Sequence, residues 1–251
     1  MEILQKIKKK LKLIYFSGSN YHCPFCGYSS KSLEVVGHDL PVLREKQVIG
    51  GGRRPAGCYK CHSRDRERLL YAFIVEELKL PLETRILHIA PEIKLSKILL
   101  NKNFNEYICG DLHTPGYHYP DYVKNINILN IPYEDNHFDI VICNHVLEHI
   151  PQDIEAMREL GRVLKPGGKA ILQVPISKNN QSTHEDFTIL DPEKREELFG
   201  QFDHVRIYGQ DYFTRLESAG FLVNKVNISK KYKKLGVNPA EDIFFCEKKN
   251  A

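Results

Sequence analysis

The chain has 251 residues, 42% hydrophobic and 27% charged, with a formal net charge of +4 at pH 7. That length holds one ordinary α/β domain plus a small appendage, and the composition excludes a disordered or fibrous chain. No run approaches the roughly 20 apolar residues that span a bilayer, and Met1–Phe16 lacks the apolar core and cleavage site of a secretory signal.

Residues 1–16 read as a basic amphipathic helix. Ile3, Ile7, Leu11 and Ile14 recur at helical spacing, while Lys6, Lys8, Lys9, Lys10 and Lys12 lie off that stripe. Such a helix either lies on an anionic membrane surface or packs its stripe on the protein and solvates its lysines. The charge is uneven. Residues 1–16 carry five Lys against one Glu, residues 17–68 nine Lys/Arg against five Asp/Glu, and the remainder 22 basic against 26 acidic residues. A basic front suggests an anionic partner there: membrane surface, phosphorylated ligand or nucleic acid.

Residues 17–64 carry Cys23-Pro24-Phe25-Cys26 and Cys58-Tyr59-Lys60-Cys61. Two matched knuckles provide four soft thiolates for one tetrahedral zinc ion, and Gly27 supplies the left-handed residue of a tight turn. The alternatives are a redox Cys-x-x-Cys or a disulfide pair. Four thiolates leave no open position, so the zinc would be structural and the chemistry must lie elsewhere. Cys109, Cys143 and Cys246 sit inside apolar runs as core residues, and zinc with reduced thiols indicates the cytoplasm. Residues 65–82 form a connecting helix, with Leu69, Leu70, Phe73, Ile74 and Leu78 on its apolar side, ending before Pro81.

From residue 83 to 251, strand and helix alternate. The expected strands are Arg85–Ile89, Glu106–Gly110, Phe138–Cys143, Lys169–Val174, Phe221–Ile228 and Asp242–Glu247. The expected helices are Leu95–Asn101, Ile154–Val163, Pro192–Phe199 and Gln210–Ala219. This alternation gives a doubly wound α/β domain, a mainly parallel sheet with helices on both faces. The last two strands, with no helix between them, predict a hairpin at one edge.

The segments FDIVICNHVLEHI (138–150) and MRELGRVLKPGG (157–168) closely resemble the fourth strand, following helix and turn of class I S-adenosylmethionine-dependent methyltransferases. More narrowly, the chain resembles a subgroup of methyltransferase type 11-like proteins with an N-terminal four-cysteine zinc ribbon, an HIAPE-like first loop and a DHVRIYGQDY phrase, here residues 203–212. The resemblance implies a Rossmann-like, seven-stranded sheet over residues 83–251 that binds S-adenosylmethionine beyond the carboxyl ends of its strands. It places Asp111 at the ribose hydroxyls, Asn127 and Ile128 at the adenine, and Leu112 among the cofactor-binding residues. Asn144 falls near the methionine part, and the first loop is His88, Ala90, Pro91 and Glu92. That loop departs from the family in having no glycine, which would otherwise let the backbone approach the cofactor.

Methyl transfer to a hydroxyl needs positioning and a base. His145, after the fourth strand, and His184, after the fifth, are the candidate catalytic residues. Glu148 and His149 read as structural, while Glu185 and Asp186 share a polar loop with His184. Arg206 is a candidate for a phosphate or carboxylate, or else a surface salt bridge. The expected activity is methyl transfer to a small-molecule or glycan-type acceptor, at oxygen. Two alternatives stay open: an RNA methyltransferase using the basic zinc module, and a non-catalytic binding protein, which the glycine-free loop suggests.

Overall fold

The computed structural model describes residues 2–249. The chain divides into two units: Met1–His38, Arg53–Lys79 and Asn227–Glu241 form one, and Asp39–Gly52, Leu80–Val226 and Asp242–Ala251 the other.

The larger unit is built on seven strands: β1 (Arg85–Ile89), β2 (Glu106–Asp111), β3 (Val123–Asn125), β4 (Phe138–Asn144), β5 (Leu164–Gln173), β6 (Phe221–Val226) and β7 (Ile243–Lys248). They pair in the order β3-β2-β1-β4-β5-β7-β6. β1 to β5 run parallel, and β7 is antiparallel to both β5 and β6, so the hairpin stands at the edge as expected. β4 is buried along almost its whole length, the pattern of a central parallel strand covered on both faces. Four helices connect the strands: α1 (Ile93–Leu100), α2 (Asp153–Val163), α3 (Pro192–Phe199) and α4 (Tyr212–Ser218). α2 inserts Ala156, Met157, Leu160 and Val163 into a core shared with Leu87, Val141 and Leu172. Each large side chain fully buried there contributes roughly 1.5–3 kcal/mol.

Sequence order along the sheet reverses between β1 and β4, and this switch point opens a ligand crevice at the strands' carboxyl ends. The backbone is drawn tight beside it. A Cβ on Gly110 would meet Ile126 Cδ1 at 2.6 Å, so β2 and the segment after β3 require glycine at that position. The strand β3 was not anticipated, and β5 starts at Leu164, absorbing Pro166-Gly167-Gly168 as an irregular entry. Val48–Ile49 pair with Ile176–Ser177, so the middle of the segment assigned to the zinc module belongs to the larger unit.

In the smaller unit, the helix Glu2–Phe16 leads into the pair Ser17–His22 and Ser29–Ser30; Glu34–Val36 pairs with Arg54–Gly57. Leu4, Ile7, Leu11 and Ile14 are 49–63% exposed, so the described part of the apolar stripe faces solvent. The Ile3 side chain lies outside the described ones. The helix Asp65–Tyr71 continues as wider π-type turns to Leu78 and stops at Lys79 in the left-handed conformation (φ +46°). Residues 227–241, expected in the main domain, join this unit because the buried Arg68 guanidinium needs carbonyls. It donates to Ala56, Ser63, Leu235 and Gly236 oxygens. Among the described residues no helix is long and apolar enough to cross a membrane.

Candidate functional site

The glycine-free first loop takes the conformation a glycine would give it. Ala90, directly after β1, has φ +47°, and its N–H donates to Gly110 O at 2.8 Å. Alanine in the left-handed region costs about 1–2 kcal/mol, and such strain persists where the surroundings hold it and function uses it. Two residues on, the Glu92 carboxylate accepts from Asn144 Nδ2 at the end of β4 and meets His88 Nε2 at 3.2 Å. His88 Nδ1 in turn contacts Tyr107 Oη at 2.8 Å. Burial alone would raise Glu92, but the His88 and Asn144 hydrogen bonds bring it below the usual carboxylate value. His88 is fully buried, so it acts on the crevice by positioning Glu92. Asn144 Oδ1 is buried with no hydrogen-bond partner among the described residues, an acceptor at the carboxyl end of β4 without a donor.

Asp111 ends β2 half-buried, its carboxyl raised chiefly by burial and eased by the Leu112 amide, His113 and His149. The next side chain, Leu112, is 53% exposed. Asn127 Oδ1 accepts from Leu129 N at 3.0 Å in a local turn, which fixes the amide. Ile128 is buried in the core with Ile126 and Ile131. Burial raises the Cys143 thiol, and the charges of Glu148, Glu92 and Asp111 add to it, so three carboxylates converge around the end of β4.

Past β4, His145 adopts φ +57° and places Nδ1 3.2 Å from Glu148 Oε1, with both side chains nearly buried. Burial opposes ionisation of Glu148, but the neighbouring His145 imidazole, with the His149 and His204 charges, holds it down at about 2. An ionised carboxylate beside an imidazole orients the ring and favours its protonation, the arrangement of a general base. His184 lies apart from this pair on the short strand His184–Glu185, exposed and tilted against the Phe199 ring (5.4 Å between centroids).

Arg206 differs from both expectations. It is 1% exposed, and it donates to the carbonyls of Leu147, Ile150 and Pro151 and to Glu185 Oε2. Its donors are consumed by the loop after β4, so it is a structural hub and neither a surface salt bridge nor an anion ligand.

In the smaller unit the four cysteines carry free thiols whose sulfurs all lie within 4.8 Å of one another. Cys23–Cys61 and Cys26–Cys58 stand at 3.5 and 3.7 Å, close to the roughly 3.8 Å edge of a tetrahedron with 2.3 Å metal–sulfur bonds. The knuckles have the same backbone. Gly27 N donates to Cys23 O and His62 N to Cys58 O; Gly27 and His62 are both left-handed, at φ +68° and +59°. The Cys23 thiol is lowered to about 4, chiefly by its hydrogen bond with Cys58, whereas burial pushes Cys26 up to about 11. Cys58 is raised as well, chiefly by its hydrogen bond with Cys23, so without a cation only the Cys23 thiolate is favoured.

A family model described as a methyltransferase domain matches residues 95–172. An uncharacterised protein of Methanocaldococcus jannaschii is 43% identical over 61 residues, 24% of this chain and 26% of the relative. The demethylmenaquinone methyltransferase of Bacillus mycoides is 44% identical over 45 residues, 18% of this chain and 19% of the relative. The chain thus spans about a quarter or less of the length of the curated relatives it matches. The solved structure of the (4+2)-cyclase SpnF is 15% identical with a TM-score of 0.51, covering 86% of this chain and 100% of that one, a likeness of fold alone. The methyltransferase-domain match over residues 95–172, with the strand order and its crevice, supports a methyltransferase domain in this chain.

Proposed function

We propose that the chain transfers the methyl group of S-adenosylmethionine to an oxygen of a small-molecule or glycan-type acceptor. The observation that carries the cofactor half is the left-handed Ala90 beside the half-buried Asp111, which gives the glycine-free loop the geometry of a glycine turn at the switch point. When bound, S-adenosylmethionine supplies an electrophilic methyl group on a sulfonium. Asp111 accepts from the ribose hydroxyls, and Leu112 covers the adenine together with Asn127 and the edge of Ile128. Glu92, steadied by His88, holds the cofactor's amino group at the turn of Ala90 and Pro91. Asn144 Oδ1 accepts from the same end. His145 takes the proton that the acceptor hydroxyl loses, with Glu148 stabilising the imidazolium. His184 lies on the exposed rim, suited to touching the acceptor rather than to taking its proton.

The partial match to demethylmenaquinone methyltransferase supports a small acceptor. Four clustered thiols support a structural zinc in the smaller unit, and reduced thiols with that zinc support a cytoplasmic chain. Calorimetric titration with S-adenosylhomocysteine tests the cofactor site. Micromolar binding that Asp111→Ala abolishes is expected; a folded chain that binds none overturns the enzyme reading in favour of a non-catalytic protein. Methylation of RNA but of no small acceptor would overturn the acceptor class.

A further inference from the structure

Glu148 is 1% exposed, and its Oε2 accepts no hydrogen bond among the described residues. A buried, ionised carboxylate oxygen without a donor is expensive, and its ordinary partner is a cation. Two imidazoles stand beside it. One ligand atom from each of Glu148, His149 and His204 can be chosen so that all three lie within 4.8 Å of one another. Ligands about 2.1 Å from one ion stand roughly 3–3.5 Å apart, so binding requires a modest side-chain rotation.

The second observation is how the two rings are held. His149 Nδ1 is 3.4 Å from Asp203 Oδ2, and His204 Nδ1 is 3.3 Å from the Phe199 carbonyl oxygen. Each imidazole thus has an acceptor at Nδ1, which favours the tautomer with its proton there and its lone pair on Nε2. A carboxylate or backbone carbonyl behind the ring is the usual support of a metal-bound histidine. The two rings meet edge to face at 4.7 Å, and Val205 N donates to Glu148 O at 3.0 Å, which pins the two loops together.

We propose that Glu148 Oε2, His149 Nε2 and His204 Nε2 form a binding site for a first-row divalent cation, separate from the four cysteines. Two imidazoles and one carboxylate suit zinc, cobalt or iron(II), and three protein ligands leave open positions. Glu148 and His149 lie on the loop that follows Asn144, His204 on the segment before Arg206, and Glu148 Oε1 still faces His145. Resting on the methyl-transfer reading, the open positions would hold the acceptor's oxygen, and the ion would lower its pKa before His145 removes the proton.

The test is titration of the zinc-loaded full chain with Co2+, read by visible absorption. One further equivalent of Co2+ is expected, with d–d bands and no thiolate charge-transfer band, because its ligands are nitrogen and oxygen. His204→Ala should abolish it. Asp203→Asn alters a half-exposed group that backs His149 from outside the ligand set and otherwise accepts only from the exposed Gln201 Nε2, and should weaken it 10–100-fold with the fold intact. Absence of the second equivalent overturns the site, as does equal binding by both variants. The readout needs neither cofactor nor acceptor, so failure of the cofactor titration leaves it independent.

Discussion

Asn144, the last residue of β4, donates through Nδ2 to the Glu92 carboxylate beyond β1, joining the two strands on either side of the switch point. Neither residue serves this purpose alone: the Glu92 carboxylate is only 13% exposed and needs donors, and Asn144 Oδ1 has no hydrogen-bond partner among the described residues. Asn144→Ala removes a donor from a buried carboxylate, at a cost of about 1–3 kcal/mol. The expected outcome is a matching fall in the denaturation midpoint and at least tenfold weaker S-adenosylhomocysteine binding. Asn144→Asp should be worse on both counts, because it sets two carboxylates face to face.

The zinc proposed for the four-thiol cluster would make the smaller unit dependent on metal. Cys58→Ser or a strong chelator should remove most of that unit's stability, because few apolar contacts remain to replace about 10 kcal/mol or more of metal binding. Arg68, which donates to Ser63 O beside the cluster, lies 1% exposed and would lose its setting with the knuckle. Hydrogen exchange should show lost protection at residues 17–36 and 53–79, with β1, β4 and β5 still protected. Full protection of the first segments in metal-free protein would show that the thiols are ordinary core residues.

Much of the larger unit was legible because central parallel strands are continuous apolar runs: β1, β2 and β4 were placed within one residue at each end. β3 escaped because Val-Lys-Asn has one apolar residue and no period. The left-handed Ala90 was hidden for a different reason, since only glycine signals positive φ in a sequence, and the same holds for His62 in the second knuckle. Glu148 and His204 are brought together by a backbone hydrogen bond between loops 57 residues apart, Glu148 O and Val205 N, which no local pattern announces.

Glu241 gives the smaller unit a pH dependence. It is buried, one carboxylate oxygen accepts no hydrogen bond, and burial with the nearby Asp65 charge raises it to about 7. A raised folded pKa means stability that is fully present below about pH 4.5 and is lost as pH rises through 7. The loss would reach roughly 3 kcal/mol by pH 8. Glu241→Gln should match the parent near pH 4 and exceed it at pH 8, measured by denaturant unfolding. Parallel curves for the two proteins across that range would refute the assignment.

The exposed stripe Leu4, Ile7, Leu11 and Ile14, flanked by Lys6, Lys8, Lys9 and Lys10, has the build of a helix that lies in a lipid interface. Each lysine near an anionic surface adds about 1 kcal/mol. Co-sedimentation with phosphatidylglycerol vesicles is expected, weakened strongly by salt and by Leu11→Asp. Neutral phosphatidylcholine vesicles should bind little. Equal binding to both lipids would leave the lysines without a role.

Arg206 is the test of structural against ligand-binding arginine. It holds the carbonyls of Leu147, Ile150 and Pro151, and it pairs with Glu185, which Arg215 also contacts. Replacing it with Met strands those carbonyls and a carboxylate, a loss of about 3–5 kcal/mol. Lys would recover little, since one ammonium cannot reproduce a planar fork that reaches three carbonyls. An anion-binding arginine predicts the reverse: stability kept, and KM for the acceptor raised. At a temperature where Arg206→Lys is still folded, KM should be near the parent value while Co2+ binding at Glu148, His149 and His204 weakens, because the loop Arg206 fixes is the one that carries Glu148 and His149.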